Sequence, residues 1–101
     1  DWMFDCVWAR HVLEHSIAPF WTLHEFARVL EPGGILYAEM PAPETACRHE
    51  SGNLNHYSVL TLGGWTSLID RAGFEIIESR NINLKTPMGQ DQYFSFICKK
   101  K

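Results

Sequence analysis

Two short apolar runs with a helical stripe between them constrain this chain more than any other feature. Phe4-Asp5-Cys6-Val7-Trp8 is rich in strand formers and reads as a buried parallel strand. Ile35-Leu36-Tyr37-Ala38-Glu39-Met40 reads as a second, closed by Pro41. Between them Phe20, Leu23, Ala27 and Leu30 recur at helical spacing, with Phe26 widening the stripe. The pattern predicts a helix over Pro19–Leu30. Ser16 is its candidate N-cap, and Pro19 suits a first turn, where a missing N–H costs nothing. Glu31-Pro32-Gly33-Gly34 then stops the helix, because Pro cannot continue it and glycine accepts the positive φ of a tight reversal. Strand, helix and strand in such close succession favour a parallel, right-handed crossover unit.

The rest of the chain extends this unit. Pro41 to His56 has no period and collects Pro, Glu, Ser, Gly and Asn, so it is expected to be a long loop of the kind that often carries function. Leu62, Trp65, Leu68, Ile69 and Ala72 mark a second helix, with Thr61 as its cap and Gly73 where a left-handed C-terminal residue belongs. Phe74–Ser79 is expected to be strand three. After a loop holding Pro87 and Gly89, Tyr93–Cys98 is expected to be strand four, antiparallel to the third.

With 101 residues the chain makes at most one domain, and an apolar share of 46% is that of a globular protein. A net charge of −3 gives no reason to expect nucleic acid as a partner, and the basic run Lys99-Lys100-Lys101 reads as a solvated terminus. Cys6, Cys47 and Cys98 are an odd number at wide spacing, which is no disulfide framework. With no signal-like or membrane-length apolar segment, this favours a reducing, cytoplasmic setting and no membrane partner. The opening Asp1-Trp2-Met3-Phe4-Asp5 has no initiator Met and almost no lead-in, and reads like a sequence entered in the middle.

His11-Val12-Leu13-Glu14-His15 matches H-x-x-E-H, the signature of the inverted zinc peptidases. On a helical turn the three polar residues would share one face, as a zinc site requires. Three features oppose that reading. The motif directly follows a strand and is cut off by Ser16-Ile17-Ala18-Pro19; the third ligand would have to come from Glu75 or Glu78, inside a strand; and the chain leaves little room for a protease cleft. His15 can equally cap or pack the turn, and Leu13 is expected in the core. Cys47, His49 and His56 collect in the long loop, but their spacing matches no strong metal motif, and no metal site is expected.

Phe4–Trp8, His11–His15 and Leu23-x-Glu25-x-x-Arg28-Val29-Leu30-Glu31-Pro32-Gly33-Gly34 together resemble the second half of a class I S-adenosylmethionine-dependent methyltransferase. Ala72-Gly73-Phe74 before a strand, and an aromatic strand at the end, continue the resemblance along nearly the whole chain. Glu31 stands where the family usually has Lys or Arg, a surface difference. The family's glycine-rich loop after its first strand, and the acidic residue ending its second, have no counterpart here.

The resemblance implies an α/β fold. It would be the C-terminal half of a Rossmann-like methyltransferase sheet, strands four-five-seven-six with the last antiparallel, and residues 1–101 would form one partial domain lacking the N-terminal cofactor-binding half. It also implies that the backbone at Trp8, Ala9, Arg10 and His11 approaches S-adenosylmethionine, with Arg10 available to pair with a carboxylate. His11 and His15 are candidates for substrate binding or proton transfer, and His56, in Asn55-His56-Tyr57, for accepting a proton from an acceptor hydroxyl. The expected function of the parent protein is methyl transfer to a small-molecule acceptor whose identity these residues do not encode. The chain alone is expected to be inactive, to bind cofactor weakly or not at all, and to form a homodimer through an exposed strand at Phe4–Trp8. The rivals are a non-catalytic partner-binding module derived from a methyltransferase and, remotely, the zinc peptidase.

Overall fold

The computed structural model describes residues 3–101. Its elements are β1 (Phe4–Arg10), a single 3-10 turn at Leu13–His15, α1 (Pro19–Val29), β2 (Leu30–Pro41), α2 (Leu62–Arg71), β3 (Phe74–Thr86) and β4 (Gly89–Lys100). The four strands form one sheet in the order β1-β2-β4-β3. β1 and β2 run parallel, with Cys6 opposite Ile35 and Arg10 opposite Glu39. β4 lies antiparallel to both β2 and β3. The expected α/β architecture, strand order and strand directions are all present.

The crossover between β1 and β2 shows how local chemistry sets the register. α1 starts at Pro19, with Ala18 rather than Ser16 in the N-cap position. A residue before proline is pushed out of the helical region, and Ala18 sits at φ −130°, ψ 74°, so the helix cannot begin earlier. The Ser16 hydroxyl instead accepts the Ala18 N–H at 3.2 Å and bonds the Thr22 hydroxyl at 2.8 Å. At the other end the helix stops at Val29, and Leu30 is already extended and pairs with Phe4. Its fully buried side chain still continues the apolar stripe, which is why spacing alone extends the helix by one residue. The register then jumps from Phe4↔Leu30 to Cys6↔Ile35. The slack is taken up by Pro32-Gly33-Gly34. Gly33 holds a φ of 81°, and a Cβ on Gly34 would come within 2.9 Å of the Glu31 carbonyl oxygen and 3.3 Å of that of Asp5 on β1. One glycine supplies a backbone angle and the other supplies space for the neighbouring strand.

Both helices pack on the same face of the sheet and touch each other. Leu23 and Ala27 of α1 and Trp65 and Ile69 of α2 meet a layer made of Ala9, Leu36, Ala38, Met40, Phe74, Phe96 and Cys98. Burial pushes the Cys98 thiol up to about 12, so it stays protonated and packs as a small apolar group. The opposite face leaves Trp8, Ile35 and Ile97 in contact with solvent. Thr61 caps α2 through the Gly64 N–H at 3.1 Å, and Gly73 has a φ of 104° just past the helix, both as expected.

The segment expected to be a loop around Pro87 and Gly89 is instead the tip of a long hairpin. β3 runs on to Thr86, β4 begins at Gly89, and only Pro87 and Met88 lie outside the ladder. The Thr86 hydroxyl closes the turn, donating to the Gly89 carbonyl at 2.9 Å and accepting the Met88 N–H at 3.1 Å. Residues 80–85 are exposed on both faces, so they lack the one-sided apolar alternation by which half-buried strands are read. Among the described residues no helix is long and apolar enough to cross a membrane.

Two glycine substitutions should move stability in opposite directions. Gly34→Ala is expected to cost roughly 1–3 kcal/mol through overpacking, first against the Glu31 carbonyl and then against the Leu30 side chain and the β1 backbone. Gly63→Ala, at a helical position with no heavy atom within 4 Å of the added Cβ, is expected to gain about 0.4–1 kcal/mol. Urea unfolding of both variants measures this.

Candidate active site

β1 and β2 run in the same direction and end side by side, so the residues leaving their carboxyl ends share one rim. His11 leaves β1 with a φ of 59°, and its N–H still donates to the Glu39 carbonyl at 2.9 Å. The Glu39 side chain is buried and therefore needs strong donors. It has three: His11 Nε2 at 2.6 Å and Arg10 Nε at 3.1 Å on one oxygen, and the Tyr37 hydroxyl at 2.7 Å on the other. Burial, then the hydrogen bond to Glu39 and its charge, hold the Tyr37 phenol above its ordinary range. Trp8 stacks on Tyr37 at 4.3 Å between ring centroids, and the His11 ring stacks on Tyr93 of β4 at 4.6 Å.

The loop over residues 42–61 folds back onto this rim. The carbonyl of Glu14 accepts the N–H groups of Tyr57 and Ser58 at 2.8 and 3.1 Å, and the Ser58 hydroxyl donates to the Ser16 carbonyl at 2.6 Å. His15 Nδ1 lies 2.9 Å from the Asn55 carbonyl oxygen, and His56 Nδ1 lies 2.9 Å from that of His49. A carbonyl oxygen can only accept, so in both rings Nδ1 carries the proton. His49 Nε2 meets both Asp91 oxygens, at 2.9 and 3.0 Å. Asp91 also accepts the Thr45 hydroxyl at 3.0 Å and the Gln92 N–H at 2.9 Å. Ring contacts connect these groups: Tyr93 to His49 at 5.4 Å, His49 to His56 at 5.5 Å, and His56 to His15 at 4.9 Å. His11, Tyr93, His49, His56 and His15 thus form one continuous chain of rings across the carboxyl end of the sheet.

His11, His15 and His56 come together here: His15 and His56 meet directly, and His11 joins them through Tyr93 and His49. Ala9 is buried and turns its side chain into the core, whereas Trp8 and Arg10 are exposed. The H-x-x-E-H residues do not share one face. The helix they would need is a single 3-10 turn beginning at Leu13, and His11 lies before it and turns to Glu39. Leu13 is fully buried, as expected. Cys47 and His49 gather with Asp91, while the His56 ring nitrogen approaches Glu14 and His15 instead. Glu39, Asp91 and Tyr93 are functional candidates that the sequence reading missed. Glu39 had a signal, a lone charge inside an otherwise apolar strand. Asp91 had none, because it is brought to the rim by the far arm of the hairpin. An open groove of about 300 Å³ between Ala27, Arg28, Gly73 and Lys100 lies at the opposite, amino end of the parallel strands, away from this chemistry.

Comparison with known proteins now bears on this geometry. Residues 1–38 match the family model of the methyltransferase domain. A proposed methyltransferase of Bacillus halodurans superimposes with a TM-score of 0.79 at 16% identity, over 99% of this chain and 65% of its own. This is a class I methyltransferase fold. The resemblance seen in Phe4–Trp8 and Arg28–Gly34 is borne out. An S-adenosylmethionine-dependent methyltransferase of Methanosarcina mazei matches at a TM-score of 0.69 and 20% identity, over 96% of this chain and 59% of its own. The [4+2]-cyclase SpnF matches at 0.75 and 18%, over 96% of this chain and 49% of its own. The chain therefore spans 49–65% of the length of these structures. No curated protein matches it. In the methyltransferase fold the carboxyl ends of the parallel strands are the ligand side, and that is where the ring chain lies.

The His49–Asp91 pair makes acid stability a readout of the site. Burial alone would raise the Asp91 carboxyl, but hydrogen bonds from His49, Gln92 and Thr45 outweigh it and hold the group below its ordinary range. A depressed carboxyl contributes stability above its unfolded pKa of about 3.9, and that contribution is lost as pH falls through the folded value. Thermal stability should therefore fall below about pH 4. Asp91→Asn should flatten that limb and lower stability at neutral pH by about 1.5–3 kcal/mol.

Proposed function

We propose that this chain is the acceptor-side half of a methyltransferase that moves a methyl group from S-adenosylmethionine to a small-molecule acceptor. The observation that carries the reading is the meeting of Arg10, His11 and Glu39 where parallel β1 and β2 end. S-adenosylmethionine supplies an activated methyl carbon, so the protein's task is to align the acceptor and exclude water. The residues fit one end of the cofactor. Arg10, bonded to Glu39 through Nε, has further guanidinium N–H groups suited to a carboxylate, and the backbone of Trp8, Ala9, Arg10 and His11 lines the rim. No glycine-rich loop between a strand and a helix occurs among the 101 residues, so the grip on the nucleoside is assigned to sequence outside them.

Of the three candidate histidines, His11 is best suited to move a proton. Donating Nε2–H to Glu39 leaves a lone pair on Nδ1, and the carboxylate behind it stabilises the imidazolium formed when an acceptor hydroxyl or amine is deprotonated. His15, whose Nε2 lies 4.0 Å from a Glu14 oxygen, and His56, grouped with both, are assigned to the acceptor wall instead.

Among the described residues β1 pairs only with β2, and Phe4 and Trp8 are exposed beside its free edge. This supports association of a second copy through Phe4–Trp8. It equally supports the rival reading of a partner-binding module, and SpnF illustrates that the fold is not confined to methyl transfer.

Titration with S-adenosylmethionine, followed by amide NMR, tests the assignment. The expected result is binding no tighter than millimolar, with shifts concentrated at Trp8–His11. Micromolar affinity would overturn the half-site assignment, and shifts elsewhere would overturn the cofactor's position. Light scattering should find a dimer at high concentration, and protected β1 amides that exchange freely on dilution.

A further inference from the structure

We propose that Glu14, His15 and His56 form a binding site for a divalent transition metal ion of the zinc class, a site distinct from the H-x-x-E-H arrangement. One ligand atom from each residue lies within 4.8 Å of the other two. Proximity alone would not carry the proposal; the state of each atom does.

Both histidines donate their Nδ1 protons to backbone carbonyls, His15 to Asn55 and His56 to His49. This outer contact fixes a metal-binding imidazole in the tautomer whose Nε2 lone pair points at the ion. Among the described residues the His56 lone pair is contacted by the Asn53 amide, at a long 3.3 Å, and the Asn53 oxygen is fixed by the Asn55 N–H, so the nitrogen must face the ring. A donor at that distance marks the lone pair and is readily displaced.

Glu14 supplies the second, independent observation. Its side chain is only 3% exposed, yet its Oε1 has no hydrogen-bond partner among the described residues. Its Oε2 lies 4.0 Å from His15 Nε2, too far for a hydrogen bond. A buried carboxylate with one orphaned oxygen beside two imidazoles, met among the described residues by one long amide donor, is rich in acceptors and poor in donors. A cation at their centre satisfies all three. Zinc bonds of about 2.0–2.1 Å place tetrahedral ligands about 3.3 Å apart, so the three side chains need to close by roughly an ångström. Two imidazoles and one carboxylate leave a fourth position for water or for an acceptor oxygen.

The neighbouring group of Cys47, His49 and Asp91 is equally compact but already satisfied. His49 and Asp91 bind each other, and Cys47 Sγ lies 3.4 Å from the Thr86 hydroxyl. It therefore serves as the internal rival.

Titration of the purified chain with zinc(II), and with cobalt(II) for its visible spectrum, tests the proposal. One equivalent should bind at micromolar concentration. The cobalt spectrum should be that of a four-coordinate nitrogen and oxygen site without a thiolate charge-transfer band. His15→Ala and His56→Ala should each weaken binding roughly 100-fold. The near-isosteric Glu14→Gln should weaken it with the fold retained by circular dichroism, while Cys47→Ser and the exposed His24→Ala should leave it unchanged. No binding, or binding lost in Cys47→Ser but kept in His56→Ala, would overturn the proposal. These readouts involve no S-adenosylmethionine, so their failure leaves the methyl-transfer reading intact.

Discussion

The parallel pairing of β1 with β2 is the constraint on which the rest of the structure depends. Parallel strands need a crossover connection, and this one is built from α1 with its proline start, followed by the register shift that Pro32-Gly33-Gly34 absorb within β2. Because the two strands point the same way, Arg10 and Glu39 become register partners, and the chain leaves β1 directly over the end of β2. Antiparallel pairing would carry Glu39 to the other end of the sheet from His11. The buried Glu39 carboxylate then secures the arrangement, since it is stable only with the donors that Arg10, His11 and Tyr37 bring.

A second level of organisation comes from the loop after β2. It contributes little apolar burial, yet it is held by hydrogen bonds at both its start and its end. Ala42 and Ala46 donate to β4 carbonyls, and Tyr57 and Ser58 donate to Glu14. The hairpin arm of β4 meets the loop from the other side through Asp91 and Tyr93. Three segments distant in sequence thus supply one chain of rings.

The parts of this architecture written in the sequence are those with local causes. The apolar stripe of α1, the Thr61 cap and the Gly73 terminus follow from residue chemistry within a few positions, and each could be read. The start of α1 at Pro19 is legible, but its cap is not: Ser16 is a good capping residue by type, while Pro19 restricts Ala18 more strongly than a hydroxyl can attract an N–H. The outer half of the hairpin was unreadable because its backbone ladder, not a buried face, makes it a strand. At the rim, His11, His15 and His56 could be named from residue type, but their partners could not. His49–Asp91 and His11–Glu39 are separated by 42 and 28 residues, and only the sheet order brings them together.

The coupling of His11 to Glu39 is the most direct signature of this fold, because the contact exists only if β1 and β2 are parallel and in this register. A double-mutant cycle with His11→Ala and Glu39→Gln measures it through urea unfolding at neutral pH. The structure predicts a coupling of about 1.5–3 kcal/mol, the range for a hydrogen bond to a charged group. Additive single-variant effects, with no coupling between the two positions, would contradict it.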